Sequence, residues 1–327
     1  MRGRLKSGWL LAVSLSVVVL AIAGIRWLRT DAVAQHTTEA PVPRRMAEPF
    51  NPTTQSAHYA VDSTADADQT AQVVQAVEAL REAYIAFFPG PRTQRDDGRK
   101  LQLRLYRDQA EFKANNRSSP WAEAYYQTPT CHAYFAGGER NPYHWMLHEA
   151  THQLNREVAG MPRFRWSDEG VAAYFGASRL EGGKLLPGTI DSNAYPIWWL
   201  SSLALSGDLA DDVAHHRIIP LRAVIDGTGP PIGQHVNLYY IEFWSLSHFL
   251  FHYNGGQYAQ AYRRLLAKGG GAAEFEKTIG PIERVQAEWY GYLQELAATP
   301  PRPWPVPLRP APHRAAPTHR SAAPAAP

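Results

Sequence analysis

Cysteine is almost absent from this chain, since Cys131 is the only one among 327 residues. A single cysteine excludes an intramolecular disulfide and any zinc site assembled from several thiolates. We interpret Cys131 as a small buried residue rather than as a nucleophile. Hydrophobic residues, in contrast, make up 45% of the chain and include 10 tryptophans, which excludes global disorder and predicts a globular protein with a sizeable core.

Acidic residues are absent from both ends of the chain. Residues 1–30 contain five cations and residues 299–327 contain four, with no aspartate or glutamate in either range. Removing these nine cations from the formal net charge of +3 leaves about −6 for the residues between them. A negatively charged central region argues against nucleic acid as a partner.

The first 30 residues have the organisation of a signal peptide or a membrane anchor. An uncharged run of 19 residues, Ser7–Ile25, follows three cations and precedes two more. At the helical rise of about 1.5 Å per residue, this run is just long enough to span a bilayer. Small-residue patterns at residues 21–23 and 32–34 are compatible with cleavage instead. Both alternatives predict an exported protein, periplasmic or extracellular, and the first anchors it to the membrane through residues 7–25.

Composition separates the folded part of the chain from its ends. Residues 31–55 are polar and contain prolines, which is typical of a linker. Residues 299–327 are dominated by proline, alanine and arginine, a composition that cannot build a core and predicts a disordered or polyproline-like tail. The folded domain is therefore expected at residues 56–298.

Hydrophobic periodicity within this domain predicts an α+β fold. Alternating apolar and polar residues predict three short strands, at 58–63, 101–107 and 131–138. Helical periodicity predicts helices before and after the last of these strands, at 67–88, 108–116, 169–179, 194–206, 235–253, 256–267 and 281–297. We expect a small mixed β-sheet with helices, followed by a mainly helical C-terminal subdomain.

The segment YHWMLHEATHQLN, residues 143–155, places His148, Glu149 and His152 in an H-E-x-x-H arrangement. On a helix, residues four apart lie on one face, so both imidazoles can reach one metal ion while Glu149 lies beside it. Two imidazoles leave a zinc ion short of ligands, and a catalytic site needs a third protein ligand with the fourth position open to water. The alternative is an ordinary amphipathic helix whose histidines are hydrogen-bonded within the protein.

Glu169 is our candidate for the third ligand. It lies in RWSDEGVAAYF, residues 165–175, a strongly helical segment that can fold back against the first helix. Asp168 would point roughly 100° away from Glu169 around this helix, so only one of the two can readily face the metal. His144 lies on the same stripe as His148, but about 6 Å further along the axis, which is too far for a bond near 2 Å.

The segments HEATHQL and PRFRWSDEGVAAYF resemble the gluzincin clan of zinc metallopeptidases. They are most similar to the bacterial peptidase-MA-like group of exported proteins, also called domain of unknown function 1570, over roughly residues 56–297. The resemblance implies a zincin-like fold in which zinc is the cofactor and His148, His152 and Glu169 bind it. It also implies that Glu149 is the general base.

A second motif, NLYYIEFWSLSHFLF, resembles the helix in which members of this clan carry a tyrosine shortly before a tryptophan. The match here is Tyr240, with Trp244 four residues later, and we expect the Tyr240 phenol to stabilise the oxyanion of the reaction. Its alternative role is packing, because the helix is rich in aromatic residues. His235 and His248 are weaker candidates for the same role.

One position departs from the clan pattern. Many gluzincins carry an acidic residue four positions after the glutamate ligand, where it orients a histidine, but Ala173 stands there in this chain. A partner for the histidine must therefore come from elsewhere, for which Asn155 and a backbone carbonyl are the candidates.

Together these features predict an exported zinc metallopeptidase that acts on a peptide or protein substrate. Such a substrate often adds a strand to the sheet edge near the active-site helix, and PTCHAYFAGG, residues 129–138, is a candidate for that edge unless it is an internal strand. The alternative function is a catalytically inactive, peptidase-like scaffold of the cell envelope. The presence of Glu149 favours the enzyme, because a scaffold has no need of a general base.

Overall fold

The computed structural model describes residues 49–93 and 98–299. The predicted export segment, residues 1–30, and all of the predicted tail except Thr299 lie outside the described residues. Contact clustering places every described residue except Pro49 in one compact unit that begins at Phe50. Within the described ranges, no helix combines the length and the apolar character that a membrane span requires.

A five-stranded mixed sheet forms the first half of this unit. Its strands are β1 (Thr54–Gln55), β2 (Tyr59–Ser63), β3 (Leu101–Tyr106), β4 (Tyr125–Gln127) and β5 (Thr130–Tyr134). They are arranged in the order β1-β2-β3-β5-β4, with the central pairs β2/β3 and β3/β5 parallel and both outer pairs antiparallel. β1 therefore brings the last two residues of the predicted linker into the sheet.

Helix α1 (Ala67–Phe87) makes the crossover between β2 and β3. It begins with a capping box, in which the Asp66 carboxylate accepts a hydrogen bond from the Gln69 backbone and the Gln69 side chain accepts one from the Asp66 backbone. Its buried apolar residues recur at helical spacing, which fixes the face turned to the core: Val73, Val77, Leu80 and Tyr84. A short helix α2 (Gln109–Asn115) follows β3.

Helix α3 (His144–Gln153) carries the H-E-x-x-H motif and packs against β4 and β5. It continues into a π-helical turn, Leu154–Ala159, that ends at Gly160 with φ of 63°. Helix α4 (Arg165–Gly176) then folds back against α3. A two-stranded antiparallel hairpin follows, formed by β6 (Ser178–Glu181) and β7 (Lys184–Ile190).

The rest of the unit is helical. A 3₁₀ helix spans Ile197–Ser202, another spans Ile232–Gln234, and α7 leaves helical geometry at Tyr253. The α-helices are α5 (Leu209–Ala214), α6 (Leu221–Asp226), α7 (Val236–Gly256), α8 (Ala259–Lys268), α9 (Ala272–Thr278) and α10 (Ile282–Ala298). The predicted α+β class is thus confirmed, with the mixed sheet preceding a mainly helical second half.

Glycines allow the helices around the motif to approach closely. A Cβ atom at Gly170 of α4 would lie 2.3 Å from Ser247 Oγ and 2.8 Å from the Phe243 carbonyl oxygen of α7. A Cβ at Gly176 would lie 3.2 Å from the Cβ of His148 on α3. Both glycines therefore permit backbone approaches that a side chain would block, and α4 lies closely packed between α3 and α7.

Three predictions about individual elements are wrong. Residues 194–206 form only the 3₁₀ helix at 197–202, because Pro196 lacks an amide donor and biases Tyr195 away from α geometry. The helix predicted at 169–179 ends at Gly176, and residues 178–181 pair as β6 instead. PTCHAYFAGG is an internal strand rather than the edge, since β5 pairs with β3 on one side and with β4 on the other.

Candidate metal centre

Three of the predicted residues converge at one point. His148 and His152 lie one turn apart on α3, and Glu169 reaches them from α4. The Nε2 atoms of the two histidines are 3.2 Å apart, and Glu169 Oε2 lies 3.3 Å from the first and 3.5 Å from the second. All three side chains are largely buried, with 12%, 11% and 23% of their surface exposed.

These spacings fit a tetrahedral metal site. Ligand atoms bonded at about 2.0–2.1 Å to a tetrahedral zinc ion lie about 3.3 Å from one another. The three separations between nitrogen and oxygen atoms bracket that value. Two imidazoles and one carboxylate are also the donor set of many catalytic zinc sites, in which the fourth position is left to water. The residues therefore fit zinc both in donor chemistry and in spacing.

Electrostatics keeps the carboxylate ligand ionised. Although burial opposes ionisation, His152 and His148 hold the pKa of Glu169 well below its usual range. Burial likewise works to lower the pKa of His152, but Asp168 and Glu169 outweigh it and raise that pKa well above its usual value. The centre thus has excess negative charge that favours a cation.

Asp168 contacts the histidine from the side opposite the convergence point. Its Oδ2 lies 3.3 Å from His152 Nδ1, the ring nitrogen that does not face Glu169. Asn155 Nδ2 donates to Asp168 Oδ1 at 3.0 Å, and Tyr84 Oη donates to Asn155 Oδ1 at 2.8 Å. A carboxylate on the remote nitrogen fixes the orientation and tautomer of a metal-binding imidazole.

The histidine partner missing at Ala173 is therefore supplied by Asp168, while Asn155 holds Asp168 rather than the imidazole itself. The sequence argument placed Asp168 about 100° around α4 from Glu169 and out of reach of the metal. It is indeed not among the three clustered ligands. That same rotation points its carboxylate at the far side of the His152 ring, a role that sequence reasoning missed.

Asp168→Asn is expected to weaken zinc binding about 10- to 100-fold, because an amide no longer provides a charged acceptor for the remote nitrogen of His152. Competition with a chromophoric chelator measures this affinity. The matched control is Asp68→Asn, an exposed aspartate in the first turn of α1. Equal zinc affinity for Asp168→Asn and wild type would contradict an orienting role.

Glu149 lies on α3 between the two histidines in sequence and is 7% exposed. Burial raises the pKa of its carboxyl, while His148 and His152 act in the opposite direction. Among the residues at 49–93 and 98–299, no side chain or backbone amide donates a hydrogen bond to this carboxylate. It is thus a buried carboxylate beside the metal ligands that is not engaged elsewhere.

Tyr240 reaches the same centre from α7. Its ring centroid lies 5.9 Å from that of His148, and burial together with the charges of Glu169 and Glu149 raises the pKa of its phenol well above the usual value. The phenol therefore remains protonated and able to donate a hydrogen bond. Tyr195 packs against it with ring centroids 5.4 Å apart.

The other histidines considered are engaged elsewhere or lie outside the cluster. His144 Nε2 contacts Glu139 Oε2 at 2.5 Å and does not join the three ligands. His248 contacts Tyr292 Oη through Nδ1 and the Gly188 carbonyl through Nε2, at 2.6 and 3.0 Å. His235 precedes α7 as its cap residue. None of them belongs to the cluster that could hold a metal.

An aromatic wall extends outward from Tyr240. Tyr195 packs against Trp145 and Trp198, with ring centroids 5.2 and 5.9 Å apart. Trp198 and its neighbour Trp199 are 38% and 42% exposed, which is unusual for tryptophan. This surface was not predicted, because nothing in the local sequence indicates that residues 195–199 lie beside α3.

Comparison with protein-family models finds no match to this chain, and comparison with curated proteins finds no significant relative. The resemblance to the gluzincin clan therefore depends on the motifs alone. The functional argument that follows rests on the geometry of the described residues.

Proposed function

We propose that this protein is a zinc-dependent metallopeptidase. One observation carries the proposal: His148, His152 and Glu169 present three ligand atoms at the spacing of a tetrahedral zinc site, beside a buried carboxylate, Glu149, with no other partner among the described residues. A purely structural zinc site is normally closed by four protein ligands, whereas three ligands with an adjacent acid are typical of hydrolysis.

Each residue near the centre has a distinct task in this reaction. Zinc, when bound by His148, His152 and Glu169, supplies a Lewis acid that lowers the pKa of water and polarises a carbonyl group. Glu149 accepts the proton of the attacking water and later delivers it to the leaving amine. The Tyr240 phenol donates a hydrogen bond to the oxyanion that develops on the carbonyl oxygen.

The substrate side is proposed from the edge of the sheet. β4 is the outer strand, it pairs with β5 on one side, and it contacts the helix that carries both histidines. An extended peptide can add to such an edge through backbone hydrogen bonds, which places its carbonyl groups along α3. The aromatic wall of Tyr195, Trp145 and Trp198 adjoins Tyr240 and suits apolar side chains of the substrate.

We place this activity outside the cytoplasm, on the basis of the sequence of residues 1–30. Three cations followed by a 19-residue uncharged run are typical of export or membrane insertion. Whether the run is removed or retained, the catalytic unit would meet peptides in the periplasm or the extracellular space.

Digestion of a peptide library tests the function directly. The full-length protein, purified in a mild detergent and loaded with zinc, is expected to cleave peptides at internal or terminal bonds that mass spectrometry identifies. Removing zinc with a chelator should stop cleavage, and adding zinc back should restore it. A zinc-loaded protein that leaves every peptide intact would favour the scaffold alternative.

A further inference from the structure

A second pocket, distinct from the metal centre, is lined mainly by cations. It encloses about 630 Å³ between the β1–β2 turn, helix α1, the segment before β3 and the π-helical turn. Its charged lining contains five cationic residues and one carboxylate, Glu157: the cations are Arg81, Arg92, Arg99, Lys100 and Arg156. None of the proposed metal ligands borders it.

The one carboxylate of the lining is already engaged. Glu157 Oε2 pairs with Arg99 Nη1 at 2.7 Å, and its Oε1 accepts a hydrogen bond from Tyr126 Oη at 2.7 Å. His58, which also lines the pocket, contacts Glu78 at 2.6 Å. The acidic groups nearby therefore have little capacity left to neutralise the remaining cations.

Several cations, in contrast, have no anionic partner. Within the described ranges, Arg81, Arg92 and Arg156 make no salt bridge and no hydrogen bond. Lys100 donates to the carbonyl oxygens of Ser56 and Ala57, which satisfies its donors without cancelling its charge. Since each guanidinium carries five N–H donors, the three arginines leave a large donor capacity unused at this pocket.

The backbone brings two of these arginines together. Arg156 lies in the π-helical turn, which ends at Gly160 in the left-handed region, with φ of 63°. A Cβ at Gly160 would lie 2.0 Å from Arg92 Nη1, so the Arg92 guanidinium rests directly against this glycine. The carbonyl end of the turn reduces the repulsion between the cations, but it offers them no counter-charge of a full unit.

We propose that this pocket binds a small polyanion of the phosphate class, with Arg92 and Arg156 as its principal contacts. Planar guanidinium groups match the oxygen geometry of phosphate and form paired hydrogen bonds with it. A pocket of about 630 Å³ can hold a diphosphate or a phosphorylated small molecule. The proposal does not depend on the metallopeptidase function.

Titration calorimetry with inorganic pyrophosphate tests the proposal on the full-length protein. The protein is stripped of metal with a chelator and dialysed, so that pyrophosphate cannot bind through zinc. Wild type is expected to bind pyrophosphate with a Kd that rises steeply with salt. Arg92→Gln combined with Arg156→Gln should weaken binding about tenfold or more, because two charge-assisted contacts are lost.

Arg264→Gln provides the matched control, since Arg264 is exposed on α8 and lies outside the pocket. This variant should bind pyrophosphate like wild type, and thermal melts should confirm that all variants are folded. Absence of pyrophosphate binding by wild type, or equal Kd values for wild type and the double variant, would overturn the proposal. Citrate binding through the same arginines in place of pyrophosphate would overturn the phosphate class.

Discussion

Glu149→Gln is expected to lower the rate of peptide hydrolysis about 10³-fold, in line with the usual contribution of a general base, while zinc remains bound. Glutamine keeps nearly the same shape and fills the same buried position. It cannot accept the proton of the attacking water, because its amide is not basic. The three proposed ligands are untouched by the change, so the metal site should retain its affinity.

Two measurements on the same sample distinguish this result from unfolding. Cleavage of a peptide identified in the library screen gives kcat/KM, and elemental analysis after gel filtration gives the zinc content. Glu295→Gln is a suitable control, because Glu295 is exposed on α10, away from α3. Full activity in Glu149→Gln with zinc in place would remove Glu149 from the mechanism.

Tyr240→Phe should lower kcat about 100-fold, the usual cost of losing one donor to a developing oxyanion, and should leave KM nearly unchanged. The phenol contributes only when charge develops on the carbonyl oxygen, so ground-state binding should not suffer. The aromatic ring, with its packing against Tyr195 and His148, is retained in phenylalanine. Zinc content should equal that of wild type.

Tyr239→Phe serves as the neighbouring control. The Tyr239 hydroxyl donates to the Pro230 carbonyl at 2.7 Å, on a different face of α7, so its removal should affect stability more than turnover. If Tyr240→Phe hydrolyses peptides as fast as wild type, then Tyr240 is a packing residue. That outcome would leave the proposed roles of Glu149 and the metal ligands intact.

The parts of the fold that the sequence predicted are those governed by local periodicity. Helix α1 and helix α10 lie within one or two residues of their predicted ranges, because each has an amphipathic pattern. The convergence of His148, His152 and Glu169 was also predicted, since an i,i+4 pair and a following helix leave few other geometries. That a metal binds there stays a prediction.

The features that escaped prediction depend on contacts distant in sequence. The order of strands follows from tertiary pairing, so neither the internal place of β5 nor the edge position of β4 could be deduced from composition. The role of Asp168 required the orientation of α4 against α3, which a sequence pattern does not specify. The hairpin β6–β7 was missed because its residues continue an apparently helical stretch.

The path from Tyr84 through Asn155 to Asp168 has a consequence for how the centre is assembled. It joins α1, in the first half of the unit, to a histidine on α3 and to a residue of α4. The orientation of one imidazole therefore depends on a crossover helix that contributes no ligand of its own. A C-terminal fragment beginning after that helix would retain every proposed ligand yet lose the outermost support that aligns them, so the catalytic motif is not a portable cassette.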